Sequence, residues 1–233
     1  MTADAAQAVY DRLWDEARAS FAAGHVRTDP HLINRAADAR RGLTLIIRPG
    51  PVALACITAL LDELHALAPA QHIYRPDEVH ITLLSVISAA PDVDLAAVPL
   101  DAYRAAFAEV FAHAHPFRVH MTGISASPDS VLVTGQSDAL NTLRDRLRAA
   151  LKHVGLDGRS EQRYRSITAH STILRFRSHP ATLPALARFV ESARSRDLDA
   201  WEVDEVEFVF NNWYMSFDVV RVLARYSLGK DLV

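Results

Sequence analysis

Two short segments of the sequence place a histidine and a threonine two positions apart among apolar residues. EVHITLLSV contains His80 and Thr82, and ITAHSTILRF contains His170 and Thr172. Side chains alternate across a β-strand, so each histidine shares a strand face with its threonine while the intervening apolar residues face the other way. If helices cover the two apolar faces, both pairs of polar side chains project into one cleft.

Two imidazole rings that face each other across a cleft are able to catalyse phosphodiester chemistry without a metal ion. One ring takes a proton from the attacking water or hydroxyl group, and the other gives a proton to the leaving oxygen. The ordinary imidazole pKa of about 6.5 allows both roles near neutral pH. The threonine hydroxyls would donate hydrogen bonds to the nonbridging phosphate oxygens, where negative charge increases in the transition state. The positions of the two motifs are compatible with either histidine as the base and the other as the acid.

A third His-x-Thr occurs at His120 and Thr122, within FRVHMTGIS. This copy is followed by Gly123 instead of a bulky apolar residue, so it lacks part of the pattern that the other two share. Strict alternation indicates a strand with one apolar core face, and His120 then lies on the opposite face with Arg118. We interpret His120 as a secondary contact to the same cleft; the alternative is that it faces solvent.

The elements that position these motifs alternate between helix and strand. Apolar periodicity predicts helices over 4–22, 51–69, 94–115, 138–153 and 181–195, and period-two or β-branched runs predict strands over 43–49, 78–88, 117–125, 130–135 and 167–176. HIYRP predicts a short further strand, VDEVEFVFNNWYM a longer one, and VVRVLARYSL either a strand or a helix. Pro99 places the start of the third helix near Leu100. This order predicts a mixed fold with one His/Thr strand in each half of the chain.

Charge and composition restrict the classes of ligand. The net charge is −3 over 233 residues, which does not indicate a long nucleic-acid footprint. Basic residues nevertheless predominate between Arg144 and Arg177, around the second motif, and would suit a phosphate group; the alternative is a solvated helix face followed by a loop. The sequence has 8 glycines and no glycine-rich phosphate loop, so P-loop and dinucleotide-binding folds have no support.

The single cysteine and the N-terminal residues indicate the compartment. Cys56 lies inside an apolar run and has no possible partner in the chain, which favours a reduced, buried thiol. The N-terminal residues lack the basic and apolar segments of a secretory signal. The apolar run 51–61 meets Asp62 and Glu63 before it is long enough to span a bilayer. We therefore predict a cytoplasmic protein without a membrane segment.

The two motifs resemble those of a known family. HITL at 80–83 and HSTI at 170–173 are similar to the paired His-x-Thr/Ser-hydrophobic motifs of the 2H phosphoesterase superfamily, which includes RNA 2',5'-ligase-like and 2',3'-cyclic phosphodiesterase-like proteins. LTLIIRP resembles the opening strand of that family, and PFRVHMTGISASPDSVLVTG resembles the hairpin between its motifs. The resemblance covers residues 42–228. It divides the chain into an N-terminal helical extension, 1–41, and a two-lobed 2H phosphoesterase-like domain, 42–233.

The resemblance implies a fold and a set of roles. The implied fold is α+β and bilobal, with two pseudo-symmetric antiparallel sheet lobes, helices on the outer faces and a central cleft. His80 and His170 would be the acid/base pair, and Thr82 and Thr172 would bind phosphate. Arg175, five residues after the second histidine, is a candidate phosphate contact; the alternative is an ordinary surface arginine at a strand end.

The resemblance also implies a class of substrate. The substrate would be the 2',3'-cyclic or 2'-5' phosphodiester of a nucleotide or an RNA end, and no metal ion or other cofactor is expected. Tyr74, Trp213 and Tyr214 are candidates to stack on a nucleobase, because aromatic faces accept any base. The alternative for these three residues is packing in the core or at a rim.

Two other functions remain as alternatives. The first is a nucleotide-binding module that has kept the cleft and lost turnover, although both histidines and both threonines are present. The second is a metallohydrolase that uses other histidines. The nearest candidate pair for a metal is His113 and His115 at the end of a predicted helix, where positions i and i+2 do not share a helical face.

Overall fold

A computed structural model describes residues 3–229 of the chain as a mixture of helices and antiparallel strands. The helices are α1 Ala3–Ala22, α2 Pro51–Leu67, α3 Leu100–Ala112, α4 Leu140–His153 and α5 Leu183–Ala193. The strands are β1 Arg41–Ile47, β2 His72–Ile73, β3 Ile81–Ala90, β4 Phe117–Ser127, β5 Ser130–Gln136, β6 Ser171–Arg175, β7 Ala200–Val203, β8 Glu205–Asn212 and β9 Arg221–Ser227. Every helix predicted from the sequence is present, and α3 begins at Leu100, directly after the proline.

The strands form two antiparallel sheets, each of which carries one His/Thr motif. The first sheet has four strands in the order β3-β1-β8-β9, and the second has five in the order β2-β6-β5-β4-β7. The first motif runs into β3, at the edge of the first sheet, and the second runs into β6, inside the second sheet. The predicted α+β fold with two sheet lobes is therefore confirmed.

Helices and sheets share one continuous apolar core. Helices α3 and α4 contact the first sheet, at β9 and β3 respectively, and α2 and α5 contact β2 and β4 of the second sheet. Phe107 of α3 meets Phe208 of β8 edge to face, with 5.2 Å between the ring centroids. Such aromatic pairs add to the free energy of area burial, and this one fixes α3 on the face of the first sheet that points away from the cleft.

Helix α1 lies on the face of the second sheet that also carries the second motif. Residues directly opposite each other in an antiparallel pair project to the same face. Thr172 pairs with Leu132, and Leu132 pairs with Ser125. Tyr10 of α1 packs against Leu132 and accepts, at its backbone carbonyl, a 3.2 Å hydrogen bond from the Ser125 hydroxyl. The N-terminal helix thus packs beside the cleft rather than on an outer face; its assignment to a separate unit, residues 1–41, stays a prediction.

Some elements differ from the sequence prediction. Strand β7, Ala200–Val203, has no counterpart among the predicted strands, and it is only 4 residues long. Strand β6 begins at Ser171 rather than at 167, because the residues before His170 form a loop. The last predicted element is a strand, β9, and not a helix. None of the helices described between residues 3 and 229 is sufficiently long and apolar to cross a membrane.

Candidate active site

The two His/Thr motifs meet in one cleft between the sheets. His80, Thr82, His170 and Thr172 all line the same cavity, and each of these side chains is partly exposed to it. The motifs are also joined directly, because the backbone N–H of His80 donates a 3.2 Å hydrogen bond to the Ser171 hydroxyl. The predicted pairing of the motifs across a shared cleft is what the structure shows.

A β-bulge follows the threonine in both motif strands. In the first sheet Leu84 pairs with Leu45 and Thr82 pairs with Ile46, which leaves Leu83 as an extra residue on β3. An extra residue changes which side chains face the cleft, as bulges commonly do next to functional sites. The next side chain in the cleft is therefore Ser85, five positions after His80.

The second motif repeats this arrangement. Leu174 pairs with Val131 and Thr172 pairs with Leu132, so Ile173 is the extra residue on β6. The next residue to line the cleft is Arg175, again five positions after the histidine. Simple alternation would have turned Arg175 to the other face. The bulge is thus the physical reason that the predicted phosphate contact reaches the cleft.

The first histidine is held by a backbone carbonyl. His80 Nδ1 lies 2.7 Å from the carbonyl oxygen of Glu78. A carbonyl only accepts, so Nδ1 carries the proton and donates it. In the neutral ring Nε2 is then unprotonated and available as a base, which fits the first step of an acid–base reaction.

The second histidine is held at the same atom by a side chain. His170 Nδ1 lies 2.8 Å from the Thr168 hydroxyl, and Thr168 is again two residues before the histidine. On the neighbouring strand β5, the Gly135 carbonyl accepts a 3.0 Å hydrogen bond from the Tyr10 hydroxyl of α1. A side chain of the N-terminal helix therefore contacts the strand that lies next to the second motif.

Burial governs the protonation of both histidines. Removal from water lowers the pKa of His80 to about 4, with further lowering by Arg48 and Arg175 and opposition from the hydrogen bond to Glu78. Burial likewise lowers the pKa of His170 to about 4, helped by the charges of Arg144, His80 and Arg175. Both rings are therefore neutral at pH 7 in the protein without substrate, and a proton on one ring disfavours a proton on the other.

Arg144 of α4 hydrogen-bonds to the backbone of both motif regions. Its side chain is fully buried, and it donates to the carbonyl oxygens of Thr82 at 2.7 Å, Leu83 at 2.8 Å and Thr168 at 2.9 Å. Burial lowers the pKa of Arg144 to about 10, so it stays charged at pH 7. The sequence predicts Arg144 in a basic region facing phosphate or solvent; it faces neither, because its guanidinium group satisfies the carbonyls at the first bulge.

Arg175 and Tyr74 act together at the cleft. Arg175 Nε donates a 3.1 Å hydrogen bond to the Tyr74 hydroxyl, and both residues line the cavity. The Tyr74 ring is buried, with the His72 ring 4.9 Å away between centroids. This arrangement favours Tyr74 as a support for Arg175 rather than as a surface for a base. Trp213 lines the cleft, whereas Tyr214 is buried with its hydroxyl donating to Asp29 Oδ2 at 2.8 Å.

His120 does not reach this cleft, which corrects the expectation of a secondary contact. It is exposed on β4, two strands away from β6, and its Nε2 lies 2.8 Å from Asp197 Oδ1. Neighbouring strands are about 4.8 Å apart, and α1 covers the intervening part of the sheet face. The third motif therefore lies on the same sheet face as the second motif but outside the cleft.

Several cleft residues had no motif to reveal them. They come from β1, β3, the loop before β6, the end of β8 and the turn after it: Thr44, Ser85, Ser88, Glu161, Arg163, Tyr164, Ser166, Asn211 and Met215. The Thr44 hydroxyl donates a 2.9 Å hydrogen bond to Asn211 Oδ1 on the neighbouring strand. Buried polar residues on otherwise apolar strands, such as Thr44 in LTLII, are the sequence signal that would have identified two of them.

Comparisons with known proteins agree with this geometry. The profile of the 2'-5' RNA ligase superfamily matches residues 52–211. No curated protein sequence matches the chain.

Solved structures share the fold at low sequence identity. TT0787 of Thermus thermophilus superposes with a TM-score of 0.60 at 16% identity, over 80% of this chain and 97% of that one. Escherichia coli LigT complexed with 3'-AMP gives 0.55 at 15% identity, over 82% and 99% of the two chains. ATU0111 from Agrobacterium tumefaciens gives 0.56 at 15% identity, over 90% and 99%. The resemblance to 2H phosphoesterases is thereby confirmed, and the chain belongs to the 2'-5' RNA ligase superfamily.

Proposed function

We propose that this protein is a metal-independent phosphodiesterase that acts on the 2',3'-cyclic or 2'-5' phosphodiester of a nucleotide or an RNA end. The observation that carries the proposal is the duplicated geometry of the cleft. Each motif supplies a histidine anchored at Nδ1 by the residue two positions before it, a threonine on the same face and a bulge directly after that threonine. The nucleotide class of ligand is supported by LigT, which was solved with 3'-AMP.

The proposed reaction uses the two rings in turn. One histidine takes a proton from the attacking water or hydroxyl as its oxygen bonds to phosphorus, and the other gives a proton to the ribose oxygen as that P–O bond breaks. His80 Nε2 is available as the base, and His170 then serves as the acid. The second ring needs a proton, and the negative charge of a bound phosphate raises a nearby histidine pKa and so favours that protonation.

The remaining cleft residues stabilise charge on the phosphate. Thr82 and Thr172 donate to the nonbridging oxygens, where negative charge increases in the transition state. Arg175 adds a positive charge, held toward the cleft by Tyr74. Burial of the site strengthens each of these interactions because water screens them less.

Turnover of a panel of nucleoside 2',3'-cyclic phosphates and 2'-5' dinucleotides, measured in the presence of a chelator, tests the proposal. His80→Ala and His170→Ala should each lower kcat by about 100-fold or more, since general acid–base catalysis contributes that much. His120→Ala is the matched control, because it removes an exposed histidine of the same motif type outside the cleft. It should retain the wild-type rate.

Two outcomes would contradict the proposal. Turnover that survives either substitution in the cleft would exclude the two-histidine mechanism. Nucleotide binding without any product would instead favour a nucleotide-binding module of the same fold. The product isomer, a 2'- or a 3'-phosphate, identifies the P–O bond that breaks.

A further inference from the structure

Three arginine side chains surround the indole ring of Trp213 at the cleft. The Cζ atom of Arg163 lies 3.9 Å from the ring centroid, that of Arg40 4.9 Å and that of Arg175 5.3 Å. Trp213, Arg163 and Arg175 line the cavity that contains both motifs. Guanidinium groups stack on aromatic faces and keep their in-plane N–H donors free for other partners.

The three arginines differ in their partners. Arg40 makes a two-pronged ion pair with Asp38, at 2.8 and 2.6 Å, so its charge is compensated. Arg175 is held by the Tyr74 hydroxyl. Within residues 3–229, no carboxylate lies within ion-pair distance of Arg163, and no hydrogen bond from its side chain to the protein is found. The donors of Arg163 are therefore available to an anion.

The loop that carries Arg163 is fixed to the first sheet. The backbone N–H of Glu161 donates to the Ser85 carbonyl at 3.0 Å, and that of Gln162 donates to the Ser88 hydroxyl at 3.0 Å. The Glu161 carboxylate is paired with Arg148, at 2.7 and 3.0 Å. An arginine on a fixed loop, stacked on a ring, loses little conformational freedom when it binds a ligand.

The charge of Arg175 reaches both the histidines and Arg163. It lowers the pKa of His80 and His170, and with Arg40 it also lowers the pKa of Arg163 after the larger effect of burial. Arg163 and Arg175 together thus carry more positive charge than one phosphodiester group bound at Thr82 and Thr172 would neutralise. A second negative group would relieve the repulsion among these arginines.

We propose that Arg163, stacked on Trp213 and assisted by Arg175, binds a second phosphate of the substrate, so that the cleft prefers a nucleotide with a phosphate on the 5' side of the ribose as well as the one attacked. This inference rests on the proposed nucleotide phosphodiesterase function and specifies its substrate class. Arginine is suited to this role because its fork of donors matches phosphate oxygens.

Calorimetric binding of adenosine 3',5'-bisphosphate and of 3'-AMP tests the inference without requiring turnover. The wild-type protein should bind the bisphosphate about tenfold or more tightly than 3'-AMP, as charge-assisted hydrogen bonds allow. Arg163→Gln should reduce this preference to less than about threefold. Arg177→Gln is the matched control, because Arg177 is exposed two positions after Arg175 and does not line the cavity. It should keep the wild-type preference.

The two proposals fail in different ways. Equal affinity for the two nucleotides, no binding of either, or a preference that survives Arg163→Gln would overturn the second-phosphate site. Absence of turnover on every member of the panel of 2',3'-cyclic phosphates and 2'-5' dinucleotides, with the bisphosphate preference and its loss in Arg163→Gln intact, would overturn the phosphodiesterase function alone. A preference that weakens as the salt concentration is raised from about 50 to about 500 mM would further support an ionic site.

Discussion

Arg144 is a fully buried arginine whose guanidinium group connects the two motif regions through hydrogen bonds. Its place among basic residues predicts either a phosphate contact or a solvated face, although it falls on the apolar stripe of α4, four residues after Leu140 and three before Leu147. In the structure its guanidinium group is buried and donates to three backbone carbonyls of the two motif regions. The helical pattern places Arg144 on the buried face of α4, but only the tertiary contact of α4 with β3 shows which carbonyls it satisfies.

Replacing Arg144 should destabilise the protein strongly. Arg144→Met keeps much of the apolar stem and leaves the carbonyls of Thr82, Leu83 and Thr168 without donors, which should cost about 3–5 kcal/mol in the free energy of unfolding. Urea denaturation measures it. Lys152→Met, an exposed site on the same helix, should change the value by less than about 0.5 kcal/mol. Equal stability of the two variants would show that the buried hydrogen bonds contribute nothing.

The buried histidines make stability depend on pH. Burial lowers the pKa of His72, His80 and His170 to about 4. The unfolded chain takes up protons on these rings near pH 6.5, whereas the folded protein takes them up only near pH 4. The contribution of the neutral rings to the free energy of unfolding is therefore fully present above about pH 6.5 and is lost as the pH falls toward 4.

The pH dependence can be assigned to these rings by substitution. Each histidine should lower the free energy of unfolding by about 1 kcal/mol for each unit by which the pH falls within that window. Urea denaturation at pH 7 and pH 5 should show a smaller loss for the double variant His80→Asn/His170→Asn than for the wild-type protein. The same loss in both proteins would mean that His80 and His170 do not cause the dependence.

At the scale of the elements, helix and strand positions follow well from periodicity, but the bulges do not. The alternation in EVHITLLSV and HSTILRF predicts which residues share a face with each histidine. It does not reveal the extra residues Leu83 and Ile173, because a bulge depends on the register with the neighbouring strand. The family resemblance places Arg175 in the cleft, and the bulge explains why that placement is physically possible.

Helix α1 is the element whose position the sequence leaves most open. Its apolar stripe predicts a helix that packs on something, without indicating the partner surface. In the structure it covers part of the cleft-side face of the second sheet, and the Tyr10 hydroxyl bonds to the backbone of Gly135. A Cβ atom on Gly135 would lie 2.6 Å from the Ala169 carbonyl oxygen, so the strand, the helix and the residue before His170 are all closely packed there.

The Tyr10 hydroxyl should influence the second histidine. Tyr10→Phe removes a buried hydroxyl that bonds to the backbone of Gly135, which packs against Ala169, the residue before His170. The substitution should cost about 1–2 kcal/mol of stability and shift the pKa of His170 measured by NMR, with that of His80 unchanged. Tyr226→Phe is the control: the Tyr226 hydroxyl is buried and makes no hydrogen bond within residues 3–229. That variant should be neutral or stabilising. Identical shifts of both histidines in Tyr10→Phe would indicate a general disturbance of the cleft.

At the scale of the whole molecule, the sequence predicts two lobes but not how their charges are distributed. The basic residues between Arg144 and Arg177 divide into structural and cleft groups: Arg148 pairs with Glu161, Arg159 with Asp92 and Arg165 with Asp145. Only Arg163 and Arg175 line the cavity among them. Net charge therefore says little about this protein, since two arginines line the cleft of a chain whose net charge is −3.

The order of strands in the first sheet also determines how much of the chain must be present for that sheet to form. The family profile spans residues 52–211, yet β1 and β9 lie outside those limits. Strand β1 sits between β3 and β8, so a chain cut to the matched segment would leave both strands without their shared neighbour and expose unpaired backbone groups at the first motif. We therefore expect that the residues matched by the family profile do not fold on their own, because the segments on either side of them complete the sheet that carries the first motif.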